Sequence, residues 1–68
     1  MAWYYVCTHP QTNGNHEIHR DGCPEMPSQK YRTYLGDYAS CKPAANKAKA
    51  SYPHINGCTT CSPECHSC

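Results

Sequence analysis

Phenylalanine is absent from this chain of 68 residues, and the branched aliphatics nearly are: Val6, Ile18, Leu35 and Ile55 are its whole stock of Val, Ile and Leu. The hydrophobic fraction of 38% is made mostly of Ala, Tyr and Cys. A chain this short buries only about 60% of its unfolded surface even with an ordinary core. Four aliphatic side chains do not offset the entropy of ordering it. A second domain, a membrane-spanning segment and a conventional hydrophobic core are excluded on these counts. Runs of Lys and Arg are missing too, and the formal charge is +1, which disfavours strong non-specific binding to nucleic acid. No glycine-rich phosphate loop is present, and the five carboxylates are scattered without an acid–base pairing. No catalytic residue is assigned.

What the chain has in excess is seven Cys and five His. A domain of this size needs a covalent or metal staple. Met1-Ala2-Trp3-Tyr4-Tyr5-Val6-Cys7 has neither a basic nor an apolar leader region, so a cytoplasmic location with reduced thiols is expected. Seven is an odd number, which a closed set of disulfides leaves unpaired. The sequence therefore favours metal over disulfides, with Zn2+ as the ion.

Trp3 to Cys7 reads as a strand, and Asn13-Gly14 as the turn of a hairpin whose return strand is His16 to His19. Asp21-Gly22 ends that strand, and Pro24 and Pro27 make the next stretch irregular. Tyr31 to Tyr38 reads as extended, broken at Gly36-Asp37. Ser40 to Tyr52 is the one good helix, with Ser40 as N-cap, Pro43 in the first turn and Pro53 as the stop. Its inward face is Cys41, Ala45, Ala48 and Tyr52, with Lys42, Lys47 and Lys49 off that face. The tail from Asn56 onward has almost no apolar residue and is expected to be either tied down by its Cys or disordered. The expected fold is a small α+β zinc-stabilised module over 1–68: a β-hairpin or three short strands, one helix, and a loose Cys-rich tail at 62–68.

Gly57-Cys58-x2-Cys61 has the shape of a zinc knuckle, in which two thiolates grip one tetrahedral ion and glycine lets the backbone turn. His19-x3-Cys23 lies at a strand end followed by a turn, so both side chains can converge. His19, Cys23, Cys58 and Cys61 together make a four-ligand site closing a long loop, where a metal clip is most useful. Cys41, near the helix N-terminus, is either a further ligand or a small buried residue. Cys65, His66 and Cys68 are candidates for a second cluster, completed by Cys7 or His9, and His66 is an alternative to His19. His16-Glu17-Ile18-His19 is not a metalloprotease motif: its His are three apart in a β-prone segment, where they face opposite ways. His16 is expected to hydrogen-bond or lie at the surface, and His9 and His54 to be surface residues.

Gln11-Thr12-Asn13-Gly14-Asn15-His16-Glu17-Ile18-His19, Gly22-Cys23-Pro24, Tyr34-Leu35-Gly36-Asp37-Tyr38, Cys41 and Asn56-Gly57-Cys58-x2-Cys61-x3-Cys65-His66 resemble a group of small Cys/His-rich bacterial proteins that has no assigned function. More distantly, His19-x3-Cys23, a helix and Cys58-x2-Cys61 are similar to the N-terminal metal-binding domain of the Ada DNA-repair protein. There C-x3-C and C-x2-C surround one zinc, and one thiolate accepts a methyl group from DNA phosphotriesters. The resemblance implies an Ada-like fold with His19, Cys23, Cys58 and Cys61 as ligands; His19 stands where that pattern has Cys.

Three functions follow as expectations. The first is a small zinc-binding module with a structural metal and a binding surface, its partner a protein before a nucleic acid, with no membrane role. The second is an Ada-like methyl acceptor or DNA-binding module, with Cys23 as the first nucleophile and Cys58 or Cys61 as alternatives. The third is thiol redox or metal handling by surplus thiols at Cys7, Cys65 and Cys68. An uncovered strand edge leaves self-association open.

Overall fold

In the computed structural model, which describes residues 1–10 and 14–66, the N-terminal run of β-formers is strand β1 (Ala2–Cys7). It pairs antiparallel with β2 (His16–Arg20), as the hairpin reading expects, with Tyr5 opposite His19 and Val6 opposite Ile18. The connection is longer than a two-residue turn; Gly14 takes φ +88°, and Asn13 lies outside the described residues.

On its other side β1 pairs antiparallel with β3 (Arg32–Tyr38). This strand is not broken at Gly36-Asp37. Gly36 adopts φ +142°, and the ladder absorbs the irregularity as a register shift between Tyr4 and Tyr5. Glycine tolerates that backbone, and a bulge costs less than ending the strand.

Helix α1 (Cys41–Lys49) starts where Ser40 predicts: the Lys42 N–H donates to Ser40 Oγ at 3.4 Å. It is shorter than Ser40 to Tyr52. After Lys49 the chain tightens, with the N–H groups of Ser51 and Tyr52 both donating to the Ala48 carbonyl. The buried face is Cys41, Ala44 and Ala48, while Ala45 is only partly buried. Lys42, Lys47 and Lys49 are exposed.

A fourth strand corrects the expected hairpin or three strands. Ile55–Gly57 is β4, which lies parallel to β2 with Ile18 opposite Gly57. The sheet order is β3-β1-β2-β4, so α1 carries the chain from one edge strand to the other. Three residues give too short a period-2 pattern to read from sequence, and β4 exists because β2 offers it a partner.

The helix covers one face of the sheet. Tyr4, Val6 and Ile18 meet Cys41, Ala44 and Ala48 there, with Leu35, Tyr38, Tyr52 and Ile55 packed at the margin. A disulfide joins Cys41 to Cys65, 24 residues apart. It draws the 3-10 turn Pro63–Cys65 against α1. Residues 62–66 of the expected loose tail are therefore tied down: Ser62 is buried, and Cys65 is bonded to Cys41. A Cβ at Gly57 would meet the Ser62 carbonyl oxygen, and would lie 2.7 Å from Cys65 Cβ. Only glycine lets the tail close over β4 there. Among the described residues no helix is long and apolar enough to cross a membrane.

Candidate metal centre

Strand β2 organises the centre. Ile18 faces the core, so alternation turns His19 to the opposite face of the sheet. His19 is nevertheless only 2% exposed, because the Cys23 and Cys58–Cys61 loops close over it.

Each loop is tied to a neighbour of His19. After Arg20 the chain turns at Gly22, with φ +88°, and the Cys23 N–H donates to the Arg20 carbonyl at 3.0 Å. From the other side, the Cys58 N–H extends the β2–β4 ladder by donating to the Ile18 carbonyl at 3.0 Å. The Arg20 N–H donates to Cys61 Sγ at 3.2 Å. The Ser62 N–H donates to the Cys58 carbonyl at 2.8 Å, which closes the knuckle turn. The Thr60 hydroxyl donates to the Glu25 carboxylate and joins the two loops at their rims.

The outcome is four donor atoms, from His19, Cys23, Cys58 and Cys61, all within 4.8 Å of one another. Donors set tetrahedrally about 2.3 Å from an ion lie about 3.8 Å apart. Cys23 Sγ and Cys58 Sγ are separated by 3.9 Å, and Cys61 Sγ and His19 Nδ1 by 3.8 Å. Three of the four residues are buried, and Cys61 is partly exposed. The spacing and the donor set fit a tetrahedral ion.

The electrostatics point the same way. Burial pushes the Cys23 thiol up to about 12, with hydrogen bonds to Cys61 and Cys58 adding to the rise. Three neighbouring sulfurs do not all ionise in such a place without a cation among them. Burial also lowers the pKa of His19, against the pull of Glu17 and Glu25, and so keeps the imidazole neutral as a ligand must be. Its other nitrogen, Nε2, lies 3.4 Å from Glu17 Oε1. With Nε2–H donating to that carboxylate, the Nδ1 lone pair faces the sulfurs, the usual outer-shell arrangement of a metal-bound histidine. Glu17 was missed in the sequence, although its signal was there: residues i and i+2 of a strand share a face.

The remaining candidates go elsewhere. Cys41 is fully buried in the core and its sulfur is bonded to Cys65, so neither offers a thiolate in this state. His66 Nδ1 lies 3.1 Å from the Gly57 carbonyl oxygen, and Cys68 lies outside the described residues. Cys7 donates to the His9 carbonyl. Among the described residues the four-ligand group is the only cluster of its kind, so no second cluster assembles around Cys65, His66 and Cys7 or His9. Of the proposed surplus thiols, Cys7 is a free thiol and Cys65 is not. His16 hydrogen-bonds as expected, its Nδ1 being 2.9 Å from the Cys7 carbonyl, and its ring packs on Tyr52. His9 and His54 are exposed. The disulfide departs from the expectation of reduced thiols; spacing alone does not reveal which Cys pair.

Comparison with family models, with curated proteins and with solved structures found no match to this chain. Function is therefore read from the site.

Proposed function

We propose that this protein is a small interaction module stapled by one structural Zn2+, held by His19, Cys23, Cys58 and Cys61. The observation that carries the reading is the convergence of three thiols and an imidazole within 4.8 Å, drawn from two loops and buried against β2. A closed four-ligand set of Cys and His is the structural form of zinc site, and zinc tolerates the tetrahedral geometry without redox chemistry. When bound, the ion neutralises the thiolates and ties Cys58 and Cys61 to His19 and Cys23. A core this lean has little else to hold that half of the sheet. The work of the module then falls to its surface, where a partner binds.

Elemental analysis and native mass spectrometry of protein purified without added metal test the reading. One zinc per chain, lost together with the fold on chelation, supports it. A fold that survives complete metal removal overturns it. The thiolate donors favour the cytoplasm, while the Cys41–Cys65 disulfide pulls the other way. Counting alkylated Cys in protein trapped directly from cells decides between the two.

A second reading, an Ada-like zinc-thiolate methyl acceptor, is favoured by one observation: Cys61 alone of the four ligands is partly exposed. Cys61 thus replaces Cys23, which is buried, as the candidate nucleophile. Its sulfur would form a bond to the methyl carbon as the leaving group departs with its electron pair. A single stoichiometric methyl adduct on Cys61 after treatment with a methylating agent supports this; scattered or absent adducts remove it.

A further inference from the structure

Large apolar side chains are the scarce resource of this chain, yet three aromatic ones are left in solvent: Trp3 is 52% exposed, Tyr34 55% and Tyr31 41%. Trp3 and Tyr34 are placed on one face. Tyr4 and Val6 point to the helix, so Trp3 and Tyr5 point away from it. Tyr5 lies opposite Tyr34 in the ladder, with ring centroids 5.5 Å apart. The metal loops cover the β2 end of this face, over His19, and leave the β1–β3 half bare.

Two cations lie against these rings. The Arg32 guanidinium sits 4.9 Å from the Tyr5 ring centre and donates to the Pro27 carbonyl at 3.2 Å, so it is held in place. Lys30 Nζ is 6.0 Å from the Tyr31 ring. Among the described residues no Lys or Arg is paired with a carboxylate, the one His–carboxylate contact being that of neutral His19 with Glu17, so neither cation has an acidic partner. At the end of the sheet beyond Trp3, a shallow pocket of about 360 Å³ is lined by Trp3, Arg20 and Asp21 with the first two residues.

We infer that the β1–β3 face binds single-stranded nucleic acid. Bases stack on Trp3 and Tyr34, and the phosphates pass Arg32 and Lys30. Flat rings interleaved with unpaired cations suit a polyanion with planar groups. Duplex bases are not available to stack, so duplex is not the ligand. The overall charge near zero, which tilts the composition toward a protein partner, averages over a face whose basic end is separate from its acidic one. Asp37 and Asp21 sit at the Trp3 end, and Glu17 is engaged with His19. This names the partner of the module and rests on that reading.

Trp3 is the only Trp in the chain, so its fluorescence reports this face directly. The zinc-loaded full-length protein is titrated with single-stranded oligo-dT and oligo-rU of about a dozen nucleotides at low salt, with metal content and circular dichroism recorded on the same samples. Saturable quenching is expected, weakened roughly ten-fold by Tyr34→Ala. Arg32→Gln lowers the slope of log affinity against log salt by about 0.7. Both side chains lie outside the buried core, so the variants keep the fold. The inference is overturned if folded, metal-bound protein shows no quenching at millimolar oligonucleotide, or if quenching ignores both substitutions. It is equally overturned if a proline-rich peptide binds the face independently of salt and the oligonucleotides do not. Binding by a folded protein that contains no metal leaves the inference standing and removes the zinc module instead.

Discussion

Replacing both Cys41 and Cys65 by Ala removes the disulfide without touching the metal ligands. The bridge joins residues 24 apart in sequence. Releasing a loop of that length restores about 3.5 kcal/mol of chain entropy to the unfolded state on the loop-closure estimate. A domain of this size is stable by only roughly 3–10 kcal/mol in total, so the loss is a large fraction of what there is. Cys41 is fully buried, and alanine fills its place with a small deficit of volume, which adds to the loss. The melting temperature should fall by roughly 14–28 °C. The assay is guanidinium unfolding of zinc-loaded protein, wild type against the double variant, followed by circular dichroism with the slope of the transition held common. The closed segment overlaps the span between Cys23 and Cys58, so an unfolded chain that kept its metal would lose less. A loss under about 1 kcal/mol, with zinc released on unfolding in both proteins, would refute the reasoning. It would mean that the disulfide does not close this loop in solution.

Glu17→Ala removes the carboxylate that holds His19 Nε2 and should weaken zinc affinity by about 10–100-fold, read by competition with a chromophoric chelator. The cobalt-loaded variant should keep its three-sulfur, one-nitrogen spectrum; loss of the nitrogen ligand would show that Glu17 does more than orient the ring. Gly57→Ala should impair folding, because its Cβ would press on Ser62 and Cys65, and an unchanged melting curve would contradict the packing of the tail over β4. In metal-free protein the small residual folded fraction should be largest between about pH 6.5 and 9. His19 has a lowered pKa, so below its ordinary 6.5 the unfolded chain takes the proton first and stability falls with falling pH. Cys23 has a raised one, so above its ordinary 9.0 the unfolded chain loses the proton first and stability falls with rising pH. A flat profile across either limit would contradict the burial of that side chain.

Much of this protein was legible in its residues because the signals are local. β-formers mark β1 and β2, Ser40 caps α1 where a serine should, and two short spacings, His19-x3-Cys23 and Cys58-x2-Cys61, bring paired side chains to one point within a single turn. Those four residues meet in the structure because β2 stands between the two loops and binds the backbone or sulfur of each. The local pattern could not show β4, since three residues become a strand only when a partner supplies the hydrogen bonds. Nor could it show that Cys41 reaches Cys65, a pairing fixed by how α1 crosses the sheet, or that Gly36 bends a strand without ending it. The division of the aromatics was hidden for the same reason. A strand alternates its side chains, but which side is core depends on where the helix lands. Here it lands on Tyr4 and Val6, and Trp3 is left outside.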